Sequence, residues 1–284
     1  DDTWRANTRV QLKMVDTLLF GTFNNTATGG PFGTLGWSSL DYHDTATGVS
    51  KNIKFNFGFN ANFNAPDYDG TYVYFKIDGL LKRINLDSTD EQPIAGNVGP
   101  YASDGRRLSF CLIGQPCTFT HYIFYSKGDG VIYRHSLING TIAGIQTRAN
   151  RQILALLPSA IPSDLVLFGA RRLFWVESYF VPDGGPFATG TYYYSLMRST
   201  FSGGAAIDNL YNISASSLNA ITFSNMTSNG KYLLWQQNGA IQRLPTDAAA
   251  LPKVDMTITG SEITQGVQND DNSVRLIQGR NTYL

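Results

Sequence analysis

Glutamate is nearly missing from this chain: Glu91, Glu177 and Glu262 are the only three among 284 residues. Histidine is equally scarce, at His43, His121 and His135. Acid/base and metal chemistry therefore have few residues to draw on. Charged residues as a whole reach 15%, well under the ~25% of an ordinary globular chain. The 22 basic residues cancel the 22 acidic ones. A neutral chain lacks the basic field that nucleic acid or an anionic membrane surface requires. Long hydrophobic runs are also absent. The nearest, residues 153–176, is interrupted by Pro158, Pro162, Asp164 and two arginines, so no spanning helix and no membrane insertion are expected. Catalytic signatures are missing too: no G-x-S-x-G, H-E-x-x-H, P-loop or G-x-G-x-x-G is found.

What is present is strand-forming. There are 17 Phe, 15 Tyr and 28 Gly, and hydrophobic residues make up 42%. This mixture reads as short strands joined by tight turns around a packed interior. Two cysteines, Cys111 and Cys117, flank a Gly114-Gln115-Pro116 turn. The turn favours a disulfide over two buried thiols. Four N-x-S/T sequons, at Asn24, Asn139, Asn212 and Asn225, accompany it. Together they point to a secreted, extracellular glycoprotein. The start at Asp1 rather than Met fits removal of a signal peptide or a trimmed beginning.

An internal repeat organises the chain. Each copy has a polar or Gly turn, an aromatic strand, a second turn, and a strand carrying Arg and often Leu. The clearest copy runs over residues 69–87; others cover 122–137, 172–200 and 230–244. Weaker copies lie at 18–41 and 274–284, giving six. The repeat arginines Arg83, Arg134, Arg198 and Arg243 are 51, 64 and 45 residues apart. A period of roughly 40–50 residues with about four strands per unit marks a β-propeller. One four-stranded sheet has two apolar faces, and stacking the sheets around an axis buries both. The expected fold is all-β: one domain, residues 1–284, a six-bladed propeller of about four antiparallel strands per blade. The last copy is incomplete, so Thr3–Arg5 and the strand-like Thr8–Met14 are expected to close the ring with the C-terminal segment.

The units resemble the YWTD-type six-bladed propellers of the low-density-lipoprotein-receptor group and their bacterial relatives. The comparison rests on Val73-Tyr74-Phe75-Lys76 and Leu81-Lys82-Arg83-Ile84-Asn85-Leu86-Asp87. The motif's Asp is not kept: Ile77, Ser126 or Lys127, Glu177 and Gln237 lie near the corresponding positions. The resemblance implies a fold, and propeller folds host enzymes and binders alike.

Candidate site residues follow. Glu177 sits in an otherwise aromatic strand, either as a general acid/base or as a buried partner of Arg171 or Arg172. No metal site is expected. A calcium ion would need Asp67 and Asp69, or Asp270, Asp271 and Asn272, which Asx turns explain without metal. The repeat arginines read as blade-bridging groups that satisfy carbonyls. The recurring Tyr74, Tyr125, Trp175 and Trp235 read as packing, with a sugar-stacking platform as the sharper alternative. A Gly-Gly-Pro-Phe insertion occurs twice, at residues 29–34 and 184–190, in the first and fourth units. Loops on a rigid scaffold carry binding, so Phe32, Phe187, Tyr179 and Phe180 are expected to rim a recognition face with Trp175 and Trp235.

The function expected is a secreted module that binds a glycan or a partner protein on its loop face. The alternatives are a propeller hydrolase, lyase or synthase using Glu177 or a central calcium, and a structural module of a larger extracellular protein. No cofactor is expected in the first case.

Overall fold

The computed structural model describes residues 8–15, 17–30, 33–58, 64–104, 108–110, 118–159, 172–184, 189–200, 207–217, 221–228, 232–238, 240–247, 256–259, 263–268, 274–278 and 281–283. All its regular elements among these are β-strands. The chain forms two compact units, residues 1–98 and 99–284.

The first unit holds two four-stranded sheets, each paired in chain order. Sheet one contains β1 (Thr8–Val15), β2 (Leu18–Gly30), β3 (Gly33–Asp44) and β4 (Ser50–Gly58). Sheet two contains β5 (Asn64–Tyr68), β6 (Tyr72–Ile77), β7 (Leu80–Asn85) and β8 (Gln92–Ala95). Phe20, Leu40 and Ile53 of sheet one pack against Val73, Phe75 and Ile84 of sheet two. Lys54 and Lys82 both bind Glu91, the latter at 2.7 Å, which clips the two sheets at their edge.

The second unit continues the pattern. Sheet three contains β9 (Tyr101–Ser103), β12 (Tyr122–Ser126), β13 (Val131–Ser136) and β14 (Ile142–Thr147). A small hairpin, β10 (Leu108–Phe110) and β11 (Thr118–Thr120), interrupts the β9–β12 connection. Its base is closed by Asp104, which accepts the Tyr122 N–H at 2.9 Å. Sheet four contains β15 (Gln152–Ser159), β16 (Arg172–Pro182), β17 (Gly190–Thr200) and β18 (Asp208–Ala215). Sheet five contains β19 (Phe223–Ser228), β20 (Tyr232–Gln237), β21 (Ala240–Pro245) and β22 (Met256–Thr259). A three-stranded sheet follows: β23 (Ile263–Gln268), β24 (Val274–Gln278) and β25 (Asn281–Tyr283).

The second strand of each unit carries the core. Val73, Ile123, Leu173 and Leu233 occupy one register position, and all are completely buried. Tyr74, Phe124, Phe174 and Leu234 occupy the next, and Phe75, Tyr125, Trp175 and Trp235 the one after. Successive side chains on a strand point to opposite faces. In sheet four, Leu173 and Trp175 pack with Phe124, Ile132 and Ile145 of sheet three. Phe174 and Val176 pack with Leu233, Trp235 and Leu244 of sheet five. A strand covered on both sides reads as a continuous apolar run rather than an alternating one. Buried polar pairs tie the same interfaces: Gln146 Nε2 donates to Ser199 Oγ at 2.8 Å.

Three expectations are corrected. The count of six four-stranded blades becomes five four-stranded sheets among the described residues, followed by a sheet of three strands. The ring closure assigned to residues 8–14 does not occur in that form. Val15 lies opposite Leu18, and β1 pairs with β2 within sheet one. Thr3–Arg5 lie outside the described residues. The recurring aromatic in the second copy is Phe75, not Tyr74, because Arg83 pairs with Tyr74 as Arg134 pairs with Phe124.

If the shared core position carries the packing, Trp175→Ala should lower unfolding stability by about 3–5 kcal/mol. Urea unfolding followed by far-UV circular dichroism reads this, and a loss under about 1 kcal/mol contradicts it.

Candidate functional site

Sheet four differs from its neighbours by an arm. Strands β16 and β17 have 11 residues each, against six for the equivalent strands of sheets two and five. The β15 partner ends at Ser178 and the β18 partner at Tyr192. Past Phe180, which lies opposite Tyr192, the hairpin is two-stranded up to Pro182 and Gly190. Sheet one has a matching arm, with 13 and 12 residues in β2 and β3 and Gly30 opposite Gly33. In sequence the two Gly-Gly-Pro-Phe segments lie between the second and third strands of sheets one and four, and residues 31–32 and 185–188 lie outside the described residues. Phe32 and Phe187 lie outside the described residues.

The floor of the sheet-four arm is a buried ion cluster. The Glu177 side chain is 1% exposed. Its Oε2 accepts hydrogen bonds from Arg148 Nε at 2.8 Å and from Trp175 Nε1 at 2.9 Å. Its Oε1 accepts one from Arg148 Nη2 at 2.6 Å, and Arg151 Nε lies 3.4 Å away. The hydrogen bond to Glu177 holds the Arg148 guanidinium above its ordinary pKa, against the opposing effect of burial. The expected partners Arg171 and Arg172 are corrected. Residues 172 and 177 point to opposite faces of the strand, and Arg171 is outside the described residues. Arg148 and Arg151 come instead from the turn between β14 and β15. That turn is fixed by Gly130, whose carbonyl accepts the Arg148 N–H at 2.7 Å. A Cβ at Gly130 would stand 2.3 Å from the Arg148 carbonyl oxygen, so only glycine admits this approach.

Above the ions stands an aromatic ladder. The Arg151 guanidinium lies 3.7 Å from the Tyr179 ring centroid. Tyr179 stacks on Tyr193 at 5.1 Å and 17°. On the other face Phe180 meets Tyr192 at 4.7 Å. Its ring lies across Gly190, where a Cβ would come within 2.5 Å of it. Phe180 and Val181 nevertheless remain 39% and 42% exposed. A buried ion cluster thus supports an arm with exposed apolar residues.

The other expected residues fall elsewhere. Trp175 and Trp235 are 0% and 1% exposed, so the surface-platform expectation is corrected: both rings are covered by neighbouring sheets. The repeat arginines lie on the third strand of their sheets. Arg83, Arg134 and Arg243 stand 4.2, 4.9 and 4.5 Å over Tyr72, Tyr122 and Tyr232. Each tyrosine is the first residue of its second strand, a recurrence visible in the sequence 11 or 12 residues before each of these arginines. Sheet four has Arg172 there, and Arg198 turns instead to Asp208 at 2.6 Å and to the Thr246 carbonyl of sheet five at 2.7 Å. That contact is the blade-bridging role expected of it. Asp69 accepts the Thr71 and Tyr72 N–H groups, both at 2.8 Å, and the Tyr74 hydroxyl. Burial, with the Asp69 charge, pushes that hydroxyl well above its ordinary pKa, so it stays a donor. Asp67 accepts the Tyr68 N–H at 2.9 Å. Among the described residues no three His, Cys, Asp or Glu side chains cluster as metal ligands. Asn139 and Asn212 are exposed, on a turn and on β18. Asn24 and Asn225 lie on β2 and β19. Cys111, Cys117, Asp270, Asp271 and Asn272 lie outside the described residues, although Phe110 pairs with Thr118 next to both cysteines.

No protein-family model matches the chain, and no curated protein matches it in sequence. Solved structures do. One is from the nidogen/laminin complex, with a TM-score of 0.54 and 10% identity over 89% of this chain and 81% of that one. Others are of the extracellular domain of a B. thetaiotaomicron protein titled a hybrid two component or one component system. They give TM-scores of 0.53 and 0.50 at 10% and 9% identity. They align over 97% and 96% of this chain, which spans 38% of theirs. At such identity the likeness establishes the fold: small antiparallel sheets in a propeller arrangement. Among the described residues no helix is long and apolar enough to cross a membrane.

Replacing Glu177 by Gln leaves two guanidinium groups without their counter-charge. Stability should fall by about 2 kcal/mol, less than for a fully buried pair because Arg148 is 20% exposed. Chemical denaturation measures the loss, and protease nicking near Tyr179–Tyr193 should rise with it. An unchanged midpoint and an intact arm would contradict the anchoring role.

Proposed function

We propose that this chain is an extracellular binding module that captures a partner protein with the β16–β17 arm. The observation that carries the reading is the exposed Phe180–Val181 pair on the β16–β17 arm, past the end of β15, whose base is locked by Glu177, Arg148 and Arg151. Binding energy concentrates in rigid aromatic anchors that lose little freedom on association. Tyr192 holds Phe180 in such a state, with the Phe180 ring lying across Gly190. Low overall charge fits recognition by shape and apolar contact rather than by long-range steering. The nidogen neighbour was solved in complex with laminin and the B. thetaiotaomicron neighbours are extracellular domains; both support the reading by analogy of fold. The sequons, with Asn139 and Asn212 exposed, and a Cys111–Cys117 disulfide closing the β10–β11 hairpin belong to the same extracellular proposal.

Screening the chain against an array of secreted and matrix proteins, with a glycan array in parallel, tests it. A protein binder is expected, and Phe180→Ser with Val181→Ser should weaken it by at least ~30-fold, about 2 kcal/mol, while the melting temperature stays unchanged. Binding that survives both substitutions would move recognition off the arm. A hit on glycans alone would replace the protein partner by a sugar.

A further inference from the structure

The side chains of sheet one on the face turned away from its core with sheet two form a second, unrelated feature. Two cross-strand rows lie there side by side. Leu19, His43 and Ser50 are opposite one another in β2, β3 and β4, and Gly21, Asp41 and Asn52 form the adjacent row. Gly21 contributes no side chain, and a cleft of about 390 Å³ opens over it, lined by these six residues together with Tyr42 and Lys51. That volume falls in the lower part of the range for small-molecule sites, roughly 300–1,000 Å³.

The polar groups lining the cleft are already held in place by one another. Asp41 accepts hydrogen bonds from Asn52 Nδ2 at 2.7 Å and from Ser39 Oγ at 2.5 Å. His43 Nδ1 and Ser50 Oγ are 2.8 Å apart. Fixed orientation matters because a ligand then meets donors and acceptors that lose little freedom on binding. The chemistry selects the ligand class. The lining carries one carboxylate, Asp41, and one ammonium, Lys51, so its charges cancel and no anion is favoured. A metal ion would find one carboxylate, whose two oxygens each already accept a hydrogen bond, and hard cations need several oxygen ligands. A purely apolar ligand would leave the polar rows unmatched. What remains is a neutral molecule with several neighbouring hydroxyls and a C–H face. The hydroxyls suit the mixed donors and acceptors of Asp41, His43, Ser50 and Asn52, and the C–H face suits Leu19.

We infer that this cleft binds a neutral pyranose sugar, either free or as the terminal unit of a glycan. The inference rests on no residue of the β16–β17 arm, so either reading can fail alone. Isothermal titration of the full chain with glucose, galactose, mannose, N-acetylglucosamine and, as the acidic control, glucuronate provides the test. Methyl glycosides and a short glycan ending in the same sugar separate the free from the terminal form. Saturable binding of at least one neutral sugar is expected, weakened about tenfold or more by His43→Ala and by Asn52→Ala, and abolished by Gly21→Leu, which fills the cleft. Melting curves identify any variant that unfolds, and the two alanine variants decide the matter if Gly21→Leu does. No saturable binding of any neutral sugar at millimolar concentration overturns the inference. So does binding that the alanine variants leave unchanged, or a preference for glucuronate.

Discussion

The structure depends on second strands that are buried on both faces. Leu173 and Trp175 face one neighbour while Phe174 and Val176 face the other, and none is more than 1% exposed. A four-stranded sheet of this kind is insoluble alone, because one face is left wet whichever side is covered. Stacking sheet on sheet answers that constraint, and it explains why the same three core positions recur from sheet two to sheet five. The polar links follow from the packing: once sheets three, four and five are face to face, Gln146 can reach Ser199 and Arg198 can reach the Thr246 carbonyl.

The candidate binding arm is a continuation of the same logic. Strands β16 and β17 leave the core as a buried apolar pair and need a foundation where the neighbouring strands stop. Glu177 supplies it by drawing two arginines from the preceding turn onto the odd-numbered face of β16. Arg151 then carries the interaction outward to Tyr179 and Tyr193. Charge is scarce in this chain, and here it is concentrated at a position where water is nearly absent and hydrogen bonds are correspondingly strong. The tip is thereby free to expose Phe180 and Val181 without the arm collapsing.

Much of this was legible in the sequence. Strand-turn alternation, the third-strand arginines and the place of the two Gly-Gly-Pro-Phe insertions all survive, because each is a local pattern with a fixed period. The number of full sheets was not legible: Val274 to Leu284 repeats the Arg and Leu signal of a unit, yet pattern matching does not count strands. The pairing of β1 within its own sheet was not legible either, because no Gly stands between Val15 and Leu18 to announce it. Trp175 and Trp235 carry an aromatic period that is the same for a buried ring and an exposed one. The partners of Glu177 lie 26 and 29 residues upstream, at Arg151 and Arg148, and only the stacking of sheets three and four brings them together. The sheet-one cleft is likewise invisible in sequence, since it arises from register across three strands.

Residue-resolved amide hydrogen exchange on the native chain tests the doubly covered second strand most directly. The account predicts the slowest exchange at Val73–Phe75, Ile123–Tyr125, Leu173–Val176 and Leu233–Trp235, at rates similar to one another and far below those of the β16–β17 arm beyond Tyr179. Exchange in these four strands as fast as in that arm would contradict it.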